Sequence, residues 1–313
     1  MRIAVVGTGG VGGYFGGRLA QAGQDVVFLA RGAHLRAIQE HGLQVESIDG
    51  DFAIRPVHAT DDPARIGPVD LVLLAVKDWQ VPPAVEMMRP LVGSETCVVP
   101  LLNWVEAPEQ LASAFGAHRV LGGLCGLFGS VVGPGRIRNV FPRPFVTIGE
   151  LDHAPSERCD HLRMAFEQAG IQASIAADIH AALWEKLMFV GPFGGVGAVT
   201  RMPVGVLRRQ VETRSLLEGT MREMFVLARA LGMHVADEAV EKALALIDLS
   251  PERATASMQR DIMAGRPSEL ESQLGVVVRL ADRAGVEVPL HTFLYACLLP
   301  QERKARGEIE FPT

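Results

Sequence analysis

The sequence has no excess of positive charge. Its 30 Lys and Arg stand against 36 Asp and Glu, for a net charge of −6, which removes the electrostatic case for nonspecific binding to nucleic acid or to an anionic membrane. Any anionic ligand has to be met by a few placed cations. Cysteine is scarce: Cys97, Cys125, Cys159 and Cys297 are widely separated, with no CxxC pair, a pattern that predicts buried, reduced thiols rather than a disulfide framework or a metal site. The nine histidines include no HExxH. There is also no GxSxG elbow and no GxxxxGK[ST] loop, so zinc-hydrolase, serine-hydrolase and P-loop chemistry lack their signatures. The longest uncharged runs, 120–135 and 187–200, fall short of the ~20 residues of a spanning helix and are broken by glycine and proline. Near the amino terminus, Arg2, an apolar run and Ala20-Gln21-Ala22 imitate a secretion signal, but glycines interrupt its core. The reading is a cytoplasmic protein with no membrane segment and no metal.

What is abundant is glycine. There are 33 in 313 residues, about a tenth of the chain against a usual ~7%, without a collagen-like period, so their clustering needs local reasons. With 48% hydrophobic and 21% charged residues, the chain can bury a full core. Its length predicts two domains or one large α/β unit.

Residues 2–6 form a short apolar, β-branched run that fits a buried parallel strand. Gly7-Thr8-Gly9-Gly10-Val11-Gly12 follows at once, then a helical stretch from Val11 to Ala22 closed by Gly23, then a second strand over 25–30. This is a βαβ unit. Apolar runs at 70–76, 97–102 and 119–125, separated by helical segments, extend it to a doubly wound parallel sheet. Segments 43–48 and 52–57 read as one hairpin, and 136–141 and 144–149 as another around Pro142 and Pro144. After about residue 176 long Ala/Leu/Met/Arg-rich patterns predict an all-helical region. The fold class is α/β, with domains over 1–176 and 177–313. In the second, Ser250-Pro251-Glu252 predicts a helix start that Gly265 closes, Ser268 and Glu271 a capping box for a helix to Gly285, and Pro289 the start of the last helix.

In GxGxxG placed between strand and helix, the first glycine (Gly7) makes the turn, the second (Gly9) lets the backbone approach a pyrophosphate, and the third (Gly12) permits close packing. The helix start then offers N–H groups to the phosphates. A nicotinamide enzyme specific for NAD places an acid at the end of the second strand, whereas this chain has Arg31. Arginine there suits a 2′-phosphate, and Lys77 just past the third strand could supply a second cation, so NADP(H) is the favoured cofactor.

The sequence resembles the ketopantoate reductase (2-dehydropantoate 2-reductase) family over nearly its whole length. The resemblance is carried by Gly7–Gly12, Arg31-Gly32, Val76-Lys77-Asp78-Trp79-Gln80, Asn103, Leu183-Trp184-Glu185-Lys186-Leu187, and the span from Ser257-Met258 to Glu269. It implies a Rossmann-type doubly wound parallel sheet followed by a helical domain, with NADPH and a small 2-keto acid in the cleft between them. Lys186 matches the proton donor, Glu269 a glutamate that contacts the cofactor ribose, Asn103 an asparagine touching both nicotinamide ribose and substrate, and Ser257 a serine that hydrogen-bonds substrate. Gly129, in the glycine-rich stretch 122–135, is a candidate for the nicotinamide contact. Apolar helices in the second domain make a homodimer compatible with the sequence, as is a monomer.

The departures concentrate where substrate is expected. The family commonly has asparagines four, eight and eighteen residues after the lysine, and here those positions are Val190, Gly194 and Val204; Asn103 is followed by Trp104. Losing those amides redirects specificity, so ketopantoate is the first substrate and another 2-keto acid or ketone the second. Arg201 is a candidate replacement contact to a carboxylate. A nonenzymatic NADP(H) sensor is the rival reading, against which the joint retention of Lys186, Ser257 and Glu269 speaks.

Overall fold

The computed structural model describes residues 1–140 and 143–310. The chain divides into two compact units, Met1–Leu102 with Glu106–Ile179, and Asn103–Val105 with the chain from His180 onward.

The first unit opens with β1 (Arg2–Val6), α1 (Gly10–Gln21), β2 (Asp25–Leu29), α2 (Gly32–His41), β3 (Leu43–Ser47), β4 (Phe52–Ile54) and β5 (His58–Thr60). It continues with β6 (Leu71–Leu74), α3 (Val81–Met88), β7 (Cys97–Pro100) and α4 (Ala107–Phe115), then β8 (Leu121–Gly126), β9 (Gly129–Gly133), β10 (Arg136–Asn139), β11 (Phe145–Glu150), α5 (Glu157–Gln168) and β12 (Gln172–Ile175). Strands β5-β2-β1-β6-β7 form an all-parallel sheet in that order. Four consecutive residues of β1, Ile3 to Val6, are buried, because a central parallel strand is covered on both faces and has no reason to alternate. The order reverses direction at β1, so a topological switch point lies between β1 and β6.

Helix α1 lies between two sheets, and its glycines explain how. A Cβ at Gly12 or Gly16 would stand 2.9 or 2.7 Å from Val5 of the parallel sheet, while at Gly13 it would meet Ile137 of β10 at 2.8 Å and at Gly17 Phe52 of β4 at 3.0 Å. Each pair is spaced i, i+4 and marks one face of the helix. The second sheet has the order β4-β3-β10-β9.

The hairpin over 43–48 and 52–57 forms as β3 and β4; the other expected hairpin does not. Of its segments, β10 pairs antiparallel with β9 and parallel with β3, whereas β11 pairs with β8 and β12 in a separate sheet. The turn that reverses the chain is at Pro134-Gly135, where Gly135 has φ +71°, before β10 rather than after it. Phe141 and Pro142, where the turn was expected, lie outside the described residues. Cys97, Cys125 and Cys159 are buried, and burial pushes the Cys97 thiol up to about 12. Cys297 is instead exposed: its helix turns that position outward.

The second unit is helical: α6 (Ile179–Thr200), α7 (Val204–Leu207), α8 (Val211–Ala230), α9 (Ala239–Leu249), α10 (Ser257–Met263), a π-helical turn over Glu271–Gly275 running into α11 (Val276–Ala284), and α12 (Pro289–Ala305). No helix among the described residues is long and apolar enough to cross a membrane. Helix α6 is buried without a break from Gly191 to Ala198, as expected of a helix packed all round. Its glycines admit side chains from its neighbours: Met224 of α8 at Gly191, Met258 of α10 at Gly194, Leu274 at Gly195 and Gln259 at Gly197.

Two expected caps are corrected. Ser250 ends α9 instead of starting a helix; its hydroxyl donates back to the Leu246 carbonyl at 2.7 Å, the back-bonding alternative open to any serine near a helix end. The helix closed by Gly265 starts at Ser257, where Gln259 accepts the Ala256 N–H at 3.3 Å. Nor do Ser268 and Glu271 form a capping box. The Ser268 hydroxyl donates to Glu302 at 2.5 Å, and Glu271 accepts from the Tyr295 hydroxyl at 2.5 Å. Burial and that carboxylate hold the Tyr295 phenol above its ordinary range. Pro289 does open α12, and Gly285 follows α11 at φ +66°.

Candidate active site

In the first unit the candidate site is built from backbone. Gly7 has φ +97°, and a Cβ there would stand 2.6 Å from the Ala75 carbonyl oxygen beyond β6; at Gly12 it would stand 2.2 Å from the Gly7 oxygen. The motif's first and third glycines are thus required by the protein itself. Gly10 and Gly129 require each other: a Cβ on Gly10 would fall 2.5 Å from Gly129, and one on Gly129 2.8 Å from Gly10. Gly129 therefore sits at the start of α1, and its missing side chain is accounted for by this backbone contact.

Gly9 differs from all of these. Its φ is −86°, which any residue adopts, and nothing of the protein lies within 4 Å of a Cβ built on it. No conformational or internal packing reason for glycine remains at this position, whereas a group approaching the turn from outside supplies one. Gly9 is the N-cap of α1, which has neither a side-chain cap nor an acid in its first turn, so the N–H groups of Gly10, Val11 and Gly12 present the positive end of the helix dipole. Thr8 is buried and donates its hydroxyl to the Leu29 carbonyl at 2.9 Å, tying the turn to the end of β2. The residues present fit a dinucleotide diphosphate.

The two candidate cations follow the strands on either side of β1. Arg31 is the exposed N-cap of α2, just past β2, with its guanidinium 3.4 Å from the Met87 sulfur. Lys77, past β6, caps a short helical turn over Asp78–Gln80 and holds its ammonium 6.0 Å from the centre of the Trp79 ring. The glycine turn, Arg31 and Lys77 thus lie at the carboxyl ends of three adjacent strands, where open α/β sheets bind ligands.

In the second unit the candidates are side chains on or beside the helices. Lys186 is half-buried on α6 between Glu185, which accepts the Ala236 N–H at 3.1 Å, and buried Leu187. Ser257 is the half-buried first residue of α10. Asn103 and Trp104, both half-buried, group with this unit although they follow β7. Glu269 is buried just ahead of the π-helical turn, and its carbonyl accepts the Gln273 N–H at 3.0 Å.

The residue before Glu269 is gripped at every polar atom. Glu302 of α12 is 1% exposed, and it accepts the Ser268 N–H at 3.0 and 3.1 Å as well as the Ser268 hydroxyl. Arg306, one turn on, donates to the Ser268 carbonyl at 3.1 Å and to Glu302 at 2.7 Å. Nothing in the sequence marked Glu302 or Arg306. They look like ordinary charges near the end of a helix, and only the fold brings them to Ser268.

Two of the three altered positions have packing reasons. A Cβ at Gly194 would lie 2.8 Å from the Met258 methyl and 3.5 Å from the Gln273 carboxamide oxygen, so the space of an amide side chain is already taken. Val204 is fully buried at the start of α7. Val190, one turn after Lys186 and half-buried, keeps the face of α6 that carries the lysine apolar. Arg201 does not fit the role expected of it. It is exposed at φ +60° just after α6, fifteen residues past Lys186, or roughly 22 Å along a helix axis, too far for both to hold one small keto acid.

The first unit matches the family model described as ketopantoate reductase PanE/ApbA over residues 3–153, and the second its C-terminal model over 178–302. The chain is 31% identical over 300 residues to a 2-dehydropantoate 2-reductase from Nostoc sp., covering 94% of this chain and 93% of that protein. The crystal structure of 2-dehydropantoate 2-reductase from Geobacter metallireducens GS-15 superposes with a TM-score of 0.91 at 34% identity, covering 96% of this chain and 99% of that one. The ternary structure of D-mandelate dehydrogenase with NADH and anilino(oxo)acetate shares the fold, with a TM-score of 0.90 at 22% identity over 98% of this chain and 99% of that one. The chain belongs to the ketopantoate reductase family of nicotinamide-dependent oxidoreductases.

Proposed function

We propose that the protein reduces a 2-keto acid with NADPH, and that 2-dehydropantoate is the first substrate to test. The observation that carries the cofactor choice is Arg31 at the N-cap of α2, where an NAD-specific enzyme has an acid. Lys77, past β6 on the other side of β1, supplies a second cation for the 2′-phosphate, and the turn from Gly7 through Gly12, Thr8 and Val11 included, receives the diphosphate. Asn103 and Glu269 hold the nicotinamide ribose.

The bound cofactor supplies a hydride to the keto carbon. As that C–H bond forms, the carbonyl π pair moves onto oxygen, and Lys186 donates a proton to it, giving the 2-hydroxy acid; water returns a proton to the amine. An ammonium suits this step because it stabilises the growing negative charge before it transfers the proton. Ser257 and Asn103 orient the substrate.

A second reading, a different 2-keto acid, is favoured by Gly194 and Val204, whose space belongs to core packing rather than to amides. Following NADPH and NADH oxidation at 340 nm with 2-dehydropantoate beside bulkier and aromatic 2-keto acids separates the readings. Rapid turnover with 2-dehydropantoate and NADPH supports the first, and turnover only with other acids supports the second. Lys186→Ala is expected to lower kcat by about 10²–10⁴ with NADPH affinity preserved; surviving turnover would refute the proton-donor assignment.

A further inference from the structure

His34, in the first turn of α2, makes a contact that its own helix does not need. Its two ring nitrogens have different partners: the Gly135 N–H donates to Nδ1 at 3.0 Å, and Nε2 lies 2.7 Å from the Thr8 carbonyl oxygen. An N–H can only be accepted by an unprotonated nitrogen, so Nδ1 carries the lone pair and Nε2 the proton. The ring is therefore the neutral tautomer, donating to Thr8. Of the two bonds, only the second reaches the glycine turn.

That second bond fixes a peptide plane. The Thr8–Gly9 peptide is trans, so its C=O and N–H point in opposite directions. With the Thr8 oxygen drawn toward His34, the Gly9 N–H is turned away from α2. The Thr8 side chain is anchored separately, its hydroxyl donating to the Leu29 carbonyl at 2.9 Å, so the His34 contact is the one that sets the plane of the following peptide. Gly9 is also the residue whose Cβ position is open for 4 Å around. His34 stands 101 residues from Gly135 and 26 from Thr8, so it locks together three separate segments around that opening.

We infer that His34 is a positioning residue for the diphosphate of the dinucleotide: it orients the Thr8–Gly9 peptide so that the Gly9 N–H faces the phosphates. The inference rests on the glycine turn being the cofactor site. His34 touches no ligand itself, and its effect is confined to groups that contact the diphosphate.

The test compares NADP+ with adenosine 2′-monophosphate, which carries the 2′-phosphate but no diphosphate, by calorimetry on wild type, His34→Ala and His34→Gln. Wild-type binding of NADP+ tests the cofactor reading; if the protein binds no nicotinamide dinucleotide, that reading and this inference both fall. With wild-type binding in place, His34→Ala is expected to weaken NADP+ at least tenfold and adenosine 2′-monophosphate less than twofold. His34→Gln keeps an N–H donor and is expected to recover most of the loss, and it serves as the readout if His34→Ala folds poorly. Undiminished NADP+ binding in His34→Ala overturns the inference alone. So does an equal loss of both ligands, which would make His34 a general brace for α2.

Discussion

Each unit has one glycine-rich helix, and the two use glycine for different purposes. In α1 Gly12 and Gly16 meet one sheet and Gly13 and Gly17 another, on faces about 100° apart, while Gly9, at the helix cap, faces open space. In α6 the glycines from 191 to 197 are all met by protein atoms, chiefly Met224, Met258, Leu274 and Gln259. The same local composition therefore leaves an open face at the cap in the first unit and forms a packing seam in the second. A glycine excess says that something comes close; only the neighbours say whether that something is the protein.

The sharpest way to break this comparison is within the motif, by setting Gly9→Val against Gly12→Val. At Gly12 even a Cβ collides with the Gly7 oxygen at 2.2 Å, a backbone contact that cannot yield, so this variant is expected to lose several kcal/mol or fail to fold. Gly9→Val has room and an ordinary φ, so its melting temperature should stay near wild type while cofactor affinity falls by about 10²-fold or more. Thermal melts beside cofactor titration decide it. If Gly9→Val melts like Gly12→Val, the open face at Gly9 is not a ligand surface.

These two helices also show where sequence stops informing. The β1–turn–α1 unit is legible because its signals are local: an apolar run, a glycine turn, a helix and a closing Gly23 within one stretch of chain. The pairing of β10 with β9 and β3 is not, because a strand's own residues do not name its partner, and the local pattern around Pro142 points equally to β11. Ser250 ends α9 rather than opening a helix because a serine beside a proline serves equally well at either end of a helix. Around the candidate lysine the apolar run from Gly191 was visible, but its cause was not. Met224, Met258 and Gln273 arrive from segments 30 to 80 residues away, and the grip of Glu302 and Arg306 on Ser268 is equally remote.

A smaller effect is expected inside α6, and it tests the packing half of the comparison. A Cβ at Gly197 would stand 2.6 Å from the buried Gln259 carboxamide, which is committed to the Met202 carbonyl at 2.9 Å and the Ala256 N–H at 3.3 Å. At Gly194 the nearest atom is the flexible end of Met258, at 2.8 Å. Gly197→Ala should therefore cost about 1–3 kcal/mol. Gly194→Ala should be near neutral, since the roughly 1 kcal/mol gained in helix propensity offsets a small adjustment of the methionine. Denaturant unfolding of both measures this, and equal costs would mean that α6 is not packed as tightly at 197 as the contact distances imply.

The last difference between the units is electrostatic. The first unit forms its candidate turn from backbone, whereas the second secures its helices with partly or fully buried carboxylates, and Glu223 is a half-buried example. It accepts the Leu290 N–H at 2.7 Å, the His291 N–H at 3.0 Å and the His291 ring at 2.7 Å, and so secures the start of α12. Burial pushes its carboxyl up, but the His291 ring and the two backbone donors outweigh burial and hold it below its ordinary value of 4.5. A depressed carboxyl stabilises the fold above the unfolded value, and that stability is lost as pH falls through the folded one. The melting temperature of wild type should therefore drop on acidification below about pH 4.5. Glu223→Gln should be less stable at neutral pH, by about 1–3 kcal/mol, with the gap to wild type closing in acid. Calorimetric scans from pH 7 to pH 3 on both proteins provide the comparison. A gap that stays constant across that range would show that Glu223 acts through shape rather than charge, and would place the acid sensitivity of the helical unit on another carboxylate.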